Sequence, residues 1–360
     1  MTVAHLLSSA DPRRSGGIGV AVARLAAAQR SQGLMVQLCP ADAGDQRQAA
    51  VAAGAAVVHS HGLWLASSRA ARRLRRSGLP LVVTPHGMLD PWAARRRGLP
   101  KALLWWWGER RTLATAGCLQ ALCRPEADVL QALGLPVPVA LIPNGVDLPD
   151  RRVPLPPPPW HGRLPSEARV LLFLGRFHAK KGLEPLLQAW ERWTVAAGIR
   201  DAWLVLAGFG DGGALERRLQ RRPLPQVLLV GAVAGPVRDS CCHHADGFVL
   251  PSHSEGLPMA ALEAMAWGLP CLLSPGCHLP EAFQVEAAWP APPDPPALMA
   301  VLQRWYGLSP AAAAAMGAAG RRYVERHHGW DRVARQTLEL YAWLQGQADR
   351  PAWVCGPSPP

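Results

Sequence analysis

Short apolar runs recur along the first half of the chain: "VAHLLSS" (3–9), "MVQLCP" (35–40), "AAVVHSH" (55–61), "PLVVTPH" (80–86), "CLQALC" (118–123) and "VALIPNG" (139–145). Their near-continuous hydrophobicity is that of parallel strands covered on both faces. Stretches with helical spacing, such as 20–31 and 66–76, lie between them. A proline-dense segment, "PDRRVPLPPPPWHGRLPSEA" (149–168), interrupts the alternation and reads as a linker. The alternation then restarts with "ARVLLFLGR", "AWLVLAGFG", "QVLLVGA", "GFVLPS" and "PCLLSP". Two successive βα arrays predict two doubly wound α/β domains facing an interdomain cleft, with ligands at the carboxyl ends of the strands. The expected division is 1–150, a linker at 151–167, a second domain at 168–328, a helix at 329–346 packing back toward the first domain, and a disordered tail at 347–360.

Composition narrows the chemistry. The chain has 360 residues and a formal charge of +12, which suits polyanions such as phosphorylated substrates, anionic lipid or nucleic acid. Arginine supplies nearly all of it; the only lysines are Lys101, Lys180 and Lys181, and the only asparagine is Asn144 in a turn-forming "IPNGVD". No apolar run reaches the roughly 18 residues of a membrane span, and the start lacks the layout of a secretory signal, so a cytoplasmic protein is expected. The eight cysteines show no paired spacing and read as free thiols. "CCHH" (241–244) is not expected to bind metal, because four consecutive residues do not close a tetrahedron.

Several motifs sit where ligands should bind. In "FLGRFHAKKG" (173–182), two of the rare lysines join Arg176 between a strand and a helix start, a setting for phosphate; a solvated basic turn would use the same residues. "SGGIGV" (15–20) places Gly17 in a glycine-rich turn, either approaching a phosphate or sugar or simply turning the chain; it lacks the third glycine and later acid of a dinucleotide site. His86 follows a strand in "VVTPHGMLD", as a structural residue or a substrate contact, and His59 and His61 share that geometry more weakly. In "PSHSEGLPMAALEAMAWGLP" (251–270), Glu255 falls in a loop and Glu263 eight positions on, in a helix and on nearly the same side. Ionised carboxylates accept from vicinal sugar hydroxyls; salt-bridged scaffolding is the alternative. Cations on one loop and acids on another describe a nucleoside diphosphate sugar.

Together these residues resemble the retaining glycosyltransferases of group 1, family 4, which have the GT-B fold of two Rossmann-like domains. The most specific parts are GR-x4-KG (175–182) and E-x7-E (255–263); 84–147 also looks like a subgroup that builds bacterial surface polysaccharides. The resemblance implies that Arg176 and Lys181 hold the donor diphosphate, Glu255 contacts the donor sugar and Glu263 holds the ribose hydroxyls. It further implies Gly17 at the phosphate or sugar pocket, His86 near the reacting carbon, and backbone contacts from Gly256, Leu257 and Pro258. Where relatives often show Ser-Glu-x-Glu, "CRPEAD" keeps only Glu126, which weakens inference about the acceptor. No Asp-x-Asp occurs, so neither a metal-chelated diphosphate nor a separate cofactor is expected, in keeping with the family. "AARRRGLPKALLWWWGERRTL" (93–113) mixes cations with tryptophans, as peripheral contact with anionic membrane would for a polyprenyl-linked acceptor; a helix packed into the first domain is the other reading. A nucleotide-sugar epimerase of the same fold, or a non-catalytic sugar-nucleotide or polyanion binder, are the alternative functions. Lysines gathered in one loop, rather than basic and aromatic residues interleaved along a groove, count against nucleic acid.

Overall fold

The computed structural model describes residues 1–9, 11–52, 54–74, 78–89, 105–210 and 213–357. They form two compact units, Met1–Gly145 with His328–Pro360, and Val146–His327. The strands are β1 Thr2–Leu7, β2 Met35–Pro40, β3 Val57–His61, β4 Leu81–Thr84, β5 Cys118–Ala121, β6 Val139–Leu141, β7 Arg169–Phe177, β8 Ala202–Gly210, β9 Val227–Gly231, β10 Gly247–Leu250, β11 Cys271–Leu273, β12 Ala288–Pro290 and β13 Val354–Cys355. Each apolar run noted above is a strand, while β12 and β13 are additions.

The N-terminal unit holds one sheet in the order β13-β6-β5-β4-β3-β1-β2. All its pairings are parallel except β13 with β6. Strands β3, β4 and β5 are buried along their whole length, as two-sided coverage requires. The helix Pro12–Ser31 packs against β1 and β2, and the helix Trp330–Leu344 lies against it. The tail therefore departs from the expected disorder: Val354 and Cys355 pair with Ala140 and Val139 and cover the sheet edge. The helix Pro12–Ser31 also begins earlier than its apolar periodicity suggested, with a break at Gly16 (φ 58°, ψ −145°). Only glycine adopts that conformation without strain.

The second unit holds a six-stranded parallel sheet, β12-β11-β10-β7-β8-β9. Its core includes the fully buried Trp190, Phe173, Phe248 and Trp305. The proline-rich segment is not a free linker but is docked on this unit. Trp160 is buried, the Arg151 guanidinium donates to the Trp267 carbonyl at 2.5 Å, and the Ser240 hydroxyl donates to the Pro156 carbonyl at 2.6 Å. Proline kept the segment out of the sheet, as expected, but its side chains and carbonyls still bind the helical layer.

In both sheets the first strand of the unit lies inside, so the strand order reverses beside it: between β1 and β3 in one, between β7 and β10 in the other. Loops leaving such adjacent strands diverge to opposite faces and leave a crevice at their carboxyl ends.

Candidate active site

In the second unit that crevice is framed by the loops after β7 and β10. Arg176 closes β7 and the loop after it carries Lys180 and Lys181; the second loop carries Ser252, Glu255, Gly256, Leu257 and Pro258. The loops are stitched together by backbone, because the His253 N–H donates to the Lys180 carbonyl at 2.8 Å. Gly182 sits in the left-handed region (φ 66°), and a methyl group there would overlap the Pro251 carbonyl oxygen. The glycine of the lysine motif is thus required for one loop to press against the other.

At this junction Lys181 Nζ donates to Glu255 Oε1 at 2.7 Å, and the Ser252 hydroxyl donates to the same oxygen at 2.6 Å. The two side chains are only 19% and 9% exposed, so little water screens the pair. The Glu255 N–H is held by the Gly276 carbonyl at 2.7 Å, and a Cβ on Gly276 would crowd the Ser252 and His253 carbonyl oxygens, so a third loop braces the second. Arg176, at the end of β7, is exposed; its guanidinium lies 5.9 Å from the centre of the Phe209 ring and pairs with no carboxylate among the described residues. Leu257 and Pro258 are buried ahead of the helix Met259–Trp267, whose first N–H groups lack a side-chain cap.

Glu263, on that helix, does not share a partner with Glu255. Because residues 251–258 are not helical, eight positions do not bring the two acids to one helix face. Glu263 pairs instead with Arg238 of the helix Gly235–His244, a residue that the sequence reading missed. Burial pushes the Glu263 carboxyl up to about 7 from an ordinary 4.5, outweighing the downward pull of Arg238. Its folded-state value therefore lies above its unfolded one, and this residue's contribution to stability falls as pH rises from about 4.5 through about 7. Comparing wild-type and Glu263→Gln unfolding by urea at pH 4.5 and pH 8, we expect the wild type to lose ~3 kcal/mol more than the variant across that span. Parallel curves for the two proteins would remove the shift.

The remaining candidates belong to the N-terminal unit. Gly17 is exposed just past the break at Gly16, which is the residue with the special backbone conformation. His86 is half-buried and left-handed (φ 56°), a conformation that costs a non-glycine residue about 1–2 kcal/mol. Glu126, buried on the helix Arg124–Ala132, accepts from the Gly87 N–H at 2.6 Å and the Leu122 N–H at 2.8 Å, and so clamps the turn that carries His86. Glu126 thus has a positioning role. Burial lowers the His86 imidazole to about 4, leaving it neutral. Its Nε2 meets His61 Nδ1 at 3.0 Å.

Cys241 and Cys242 are buried while His243 and His244 are exposed, so "CCHH" does not converge. A closer trio is His5, His59 and His61, which bring one ring nitrogen each within 4.8 Å of the others. All six nitrogens of that trio already have hydrogen-bond partners. Of the tryptophan-rich segment 93–113, residues 93–104 lie outside the described residues; Trp105 is half-buried against the core, with its ring centre 6.3 Å from that of Trp64. No helix among the described residues is long and apolar enough to cross a membrane.

Residues 168–307 match the family model of glycosyl transferases group 1, and residues 40–149 match that of glycosyltransferase family 4. The chain is 29% identical over 315 residues to a D-inositol 3-phosphate glycosyltransferase of Xylanimonas cellulosilytica, covering 82% of this chain and 73% of that protein. It is 28% identical over 295 residues to a glycogen synthase of Mycobacterium tuberculosis, covering 79% and 68%. Among solved structures, sucrose-phosphate synthase from Thermosynechococcus elongatus superposes with a TM-score of 0.75 at 23% identity, over 97% of this chain and 100% of that one. Anabaena HepE in complex with UDP and glucose superposes with a TM-score of 0.71 at 14% identity, over 95% and 100%. The two models match in order, one in each sheet-bearing unit, and the motif residues stand at the strand ends where this fold binds ligands. The chain belongs to the group 1, family 4 glycosyltransferases and has their GT-B fold.

Proposed function

We propose that the chain moves a sugar, with retention of anomeric configuration, from a nucleoside diphosphate sugar to a glycan or lipid-linked glycan acceptor in polysaccharide assembly. The observation that carries the donor assignment is the Lys181–Glu255 pair at the β7–β10 junction. An ammonium and a carboxylate held 2.7 Å apart are complementary to a molecule with phosphate at one end and hydroxyls at the other. Donor binding draws Lys181 onto the diphosphate beside Arg176 and leaves Glu255 to accept from sugar hydroxyls. Arg176 suits the diphosphate because its planar fork is exposed and meets no carboxylate among the described residues.

The barrier lies in breaking the bond between the anomeric carbon and the diphosphate oxygen. Fixed positive charge on the departing phosphate stabilises the charge that develops there. In the retaining step the acceptor oxygen bonds the anomeric carbon on the face the diphosphate leaves, and the acceptor hydroxyl proton passes to the departing phosphate oxygen. Arg176 and Lys181 supply that fixed charge, without a metal or separate cofactor in this scheme. In this reading His86 takes the role near the reacting carbon that the family resemblance implies, and Glu263, once ionised, accepts from the ribose. The similarity to Anabaena HepE in complex with UDP and glucose supports a nucleotide donor, and the similarity to a D-inositol 3-phosphate glycosyltransferase and a glycogen synthase supports a hydroxyl acceptor.

A thermal-shift screen with UDP, GDP and ADP tests the donor assignment. One of them should stabilise the protein by ~2.7 kcal/mol when present at a hundred times its dissociation constant. No shift with any nucleoside diphosphate or its sugars at millimolar concentration would sink the reading.

A further inference from the structure

The N-terminal unit buries a continuous polar network beside its own strand reversal, between β1 and β3. In parallel register His5 lies opposite His59, and His61 lies opposite Thr84. His59 and His61, two residues apart on β3, point to one face. The network ends at two backbone carbonyls, which only accept, and this fixes every proton along it. At one end the Ile142 carbonyl accepts from Gln120 Nε2, so Gln120 Oε1 accepts from the Thr84 hydroxyl. Thr84 must then accept from His59 Nε2–H, and His59 Nδ1 accepts from the Tyr341 hydroxyl. Tyr341 in turn accepts from Gln29 Nε2.

At the other end the Ala334 carbonyl accepts the Thr337 proton, so Thr337 also accepts from Gln29 Nε2. Both branches orient the Gln29 amide the same way, with Oε1 toward His5. His5 Nε2–H donates to it at 2.8 Å, leaving His5 Nδ1 as an acceptor. His61 Nε2–H donates to that nitrogen at 2.9 Å, and His86 Nε2–H donates to His61 Nδ1 at 3.0 Å. The one ring nitrogen left over is His86 Nδ1, which has no hydrogen-bond partner among the described residues, on a half-buried side chain.

We propose that Gln29, His5 and His61 are positioning residues that lock His86 as a neutral imidazole with its proton on Nε2, presenting the Nδ1 lone pair as an acceptor for a substrate hydroxyl. A histidine alone could present either nitrogen form; here the amide of Gln29 decides between them from three residues away. Desolvation acts in the same sense, holding His5 and His86 near 4 and so keeping both rings neutral at pH 7. The identity of the partner as a substrate hydroxyl rests on the proposed sugar transfer. The proton arrangement does not, and it is tested without any substrate.

The experiment is a long-range proton–nitrogen correlation spectrum of the full chain labelled with 15N-histidine, with the His86 signals identified by their loss in His86→Gln. In the wild type at pH 7, His5, His61 and His86 should each show a protonated Nε2 and a bare Nδ1. In Gln29→Leu the deciding acceptor is gone, and the His86 Nδ1 signal should shift toward the protonated position. Gln29→Glu, which still accepts from His5, should restore the bare nitrogen. A wild-type His86 protonated on Nδ1, or a folded Gln29→Leu protein with an unchanged His86 spectrum, overturns the proposal. Should Gln29→Leu not fold, the wild-type spectrum decides by itself. A chain that shows these tautomers yet binds no nucleotide would retain the lock and lose the sugar-transfer reading.

Discussion

Glu255→Gln is expected to leave the binding of a nucleoside diphosphate unchanged or to tighten it, whereas Lys181→Met should weaken it by about 10–100-fold. The asymmetry follows from the pairing in the free protein. Lys181 must release Glu255 before it can meet a phosphate, and a neutral glutamine lowers the cost of that release. A nucleoside diphosphate carries no transferable sugar, so the loss of Glu255 is not felt at the other end. With the intact sugar nucleotide both variants should suffer, transfer falling by about 10²–10³-fold for Lys181→Met. Stability should behave differently, since each single change strands the other member of a pair that water barely reaches. We expect each to cost ~3 kcal/mol, and the double variant to cost less than the sum by ~1–2 kcal/mol. Isothermal titration with the nucleotide, together with a urea double-mutant cycle, measures both. Additive stability losses, or equal nucleotide affinities in all the variants, would show that the pair is surface decoration.

Gly182→Ala should be among the most damaging single-methyl additions available. The left-handed backbone there penalises any side chain, and the methyl group must displace a neighbouring carbonyl rather than a flexible tip. The loops after β7 and β10 would be pushed apart, and with them Lys181 and Glu255. We expect a stability loss of about 3–5 kcal/mol, a melting temperature lower by roughly 10 °C, and little remaining nucleotide binding. Gly17→Ala supplies the contrast. Its backbone is not left-handed and nothing lies within 4 Å of the added carbon. In a helix, alanine there should change stability by no more than ~1 kcal/mol. A melting curve for Gly182→Ala that overlays the wild type would show that the two loops are not held together in solution.

The fold was legible because parallel strands covered on both faces are largely apolar, so "VLLFLG" or "WLVLAG" stands out against any helix. The strand β13 was not, since two residues in a polar tail carry no periodicity and pair only because the edge of β6 is there to meet them. The proline-rich segment misled for a related reason. Proline reports what a backbone does not join, and says nothing of what a tryptophan such as Trp160 will pack against. Within the site, Lys181 was findable as one of three lysines, Arg176 by its place at the end of β7, and Glu255 as an acid in a nearly charge-free stretch. Arg238 was hidden among many arginines, and its link to Glu263 crosses between helices. Glu255 and Glu263 have different partners, Lys181 and Arg238, and helical arithmetic does not relate their positions because residues 251–258 are a loop. His5 did leave a trace, as a polar residue inside an apolar strand, but its meaning depended on the neighbouring strands arriving in register.

The return of residues 328–355 to the N-terminal unit has a consequence during synthesis. Thr337 and Tyr341, which orient Gln29 and His59, leave the ribosome only after the whole of the second unit has been made. Until then the earlier-born half carries unsatisfied buried polar groups and a bare β6 edge, so it is the later-born half that can mature first. A chain truncated after residue 330 and released from the ribosome should accordingly show protease resistance over the second unit while the first remains sensitive, an order of maturation opposite to the order of translation.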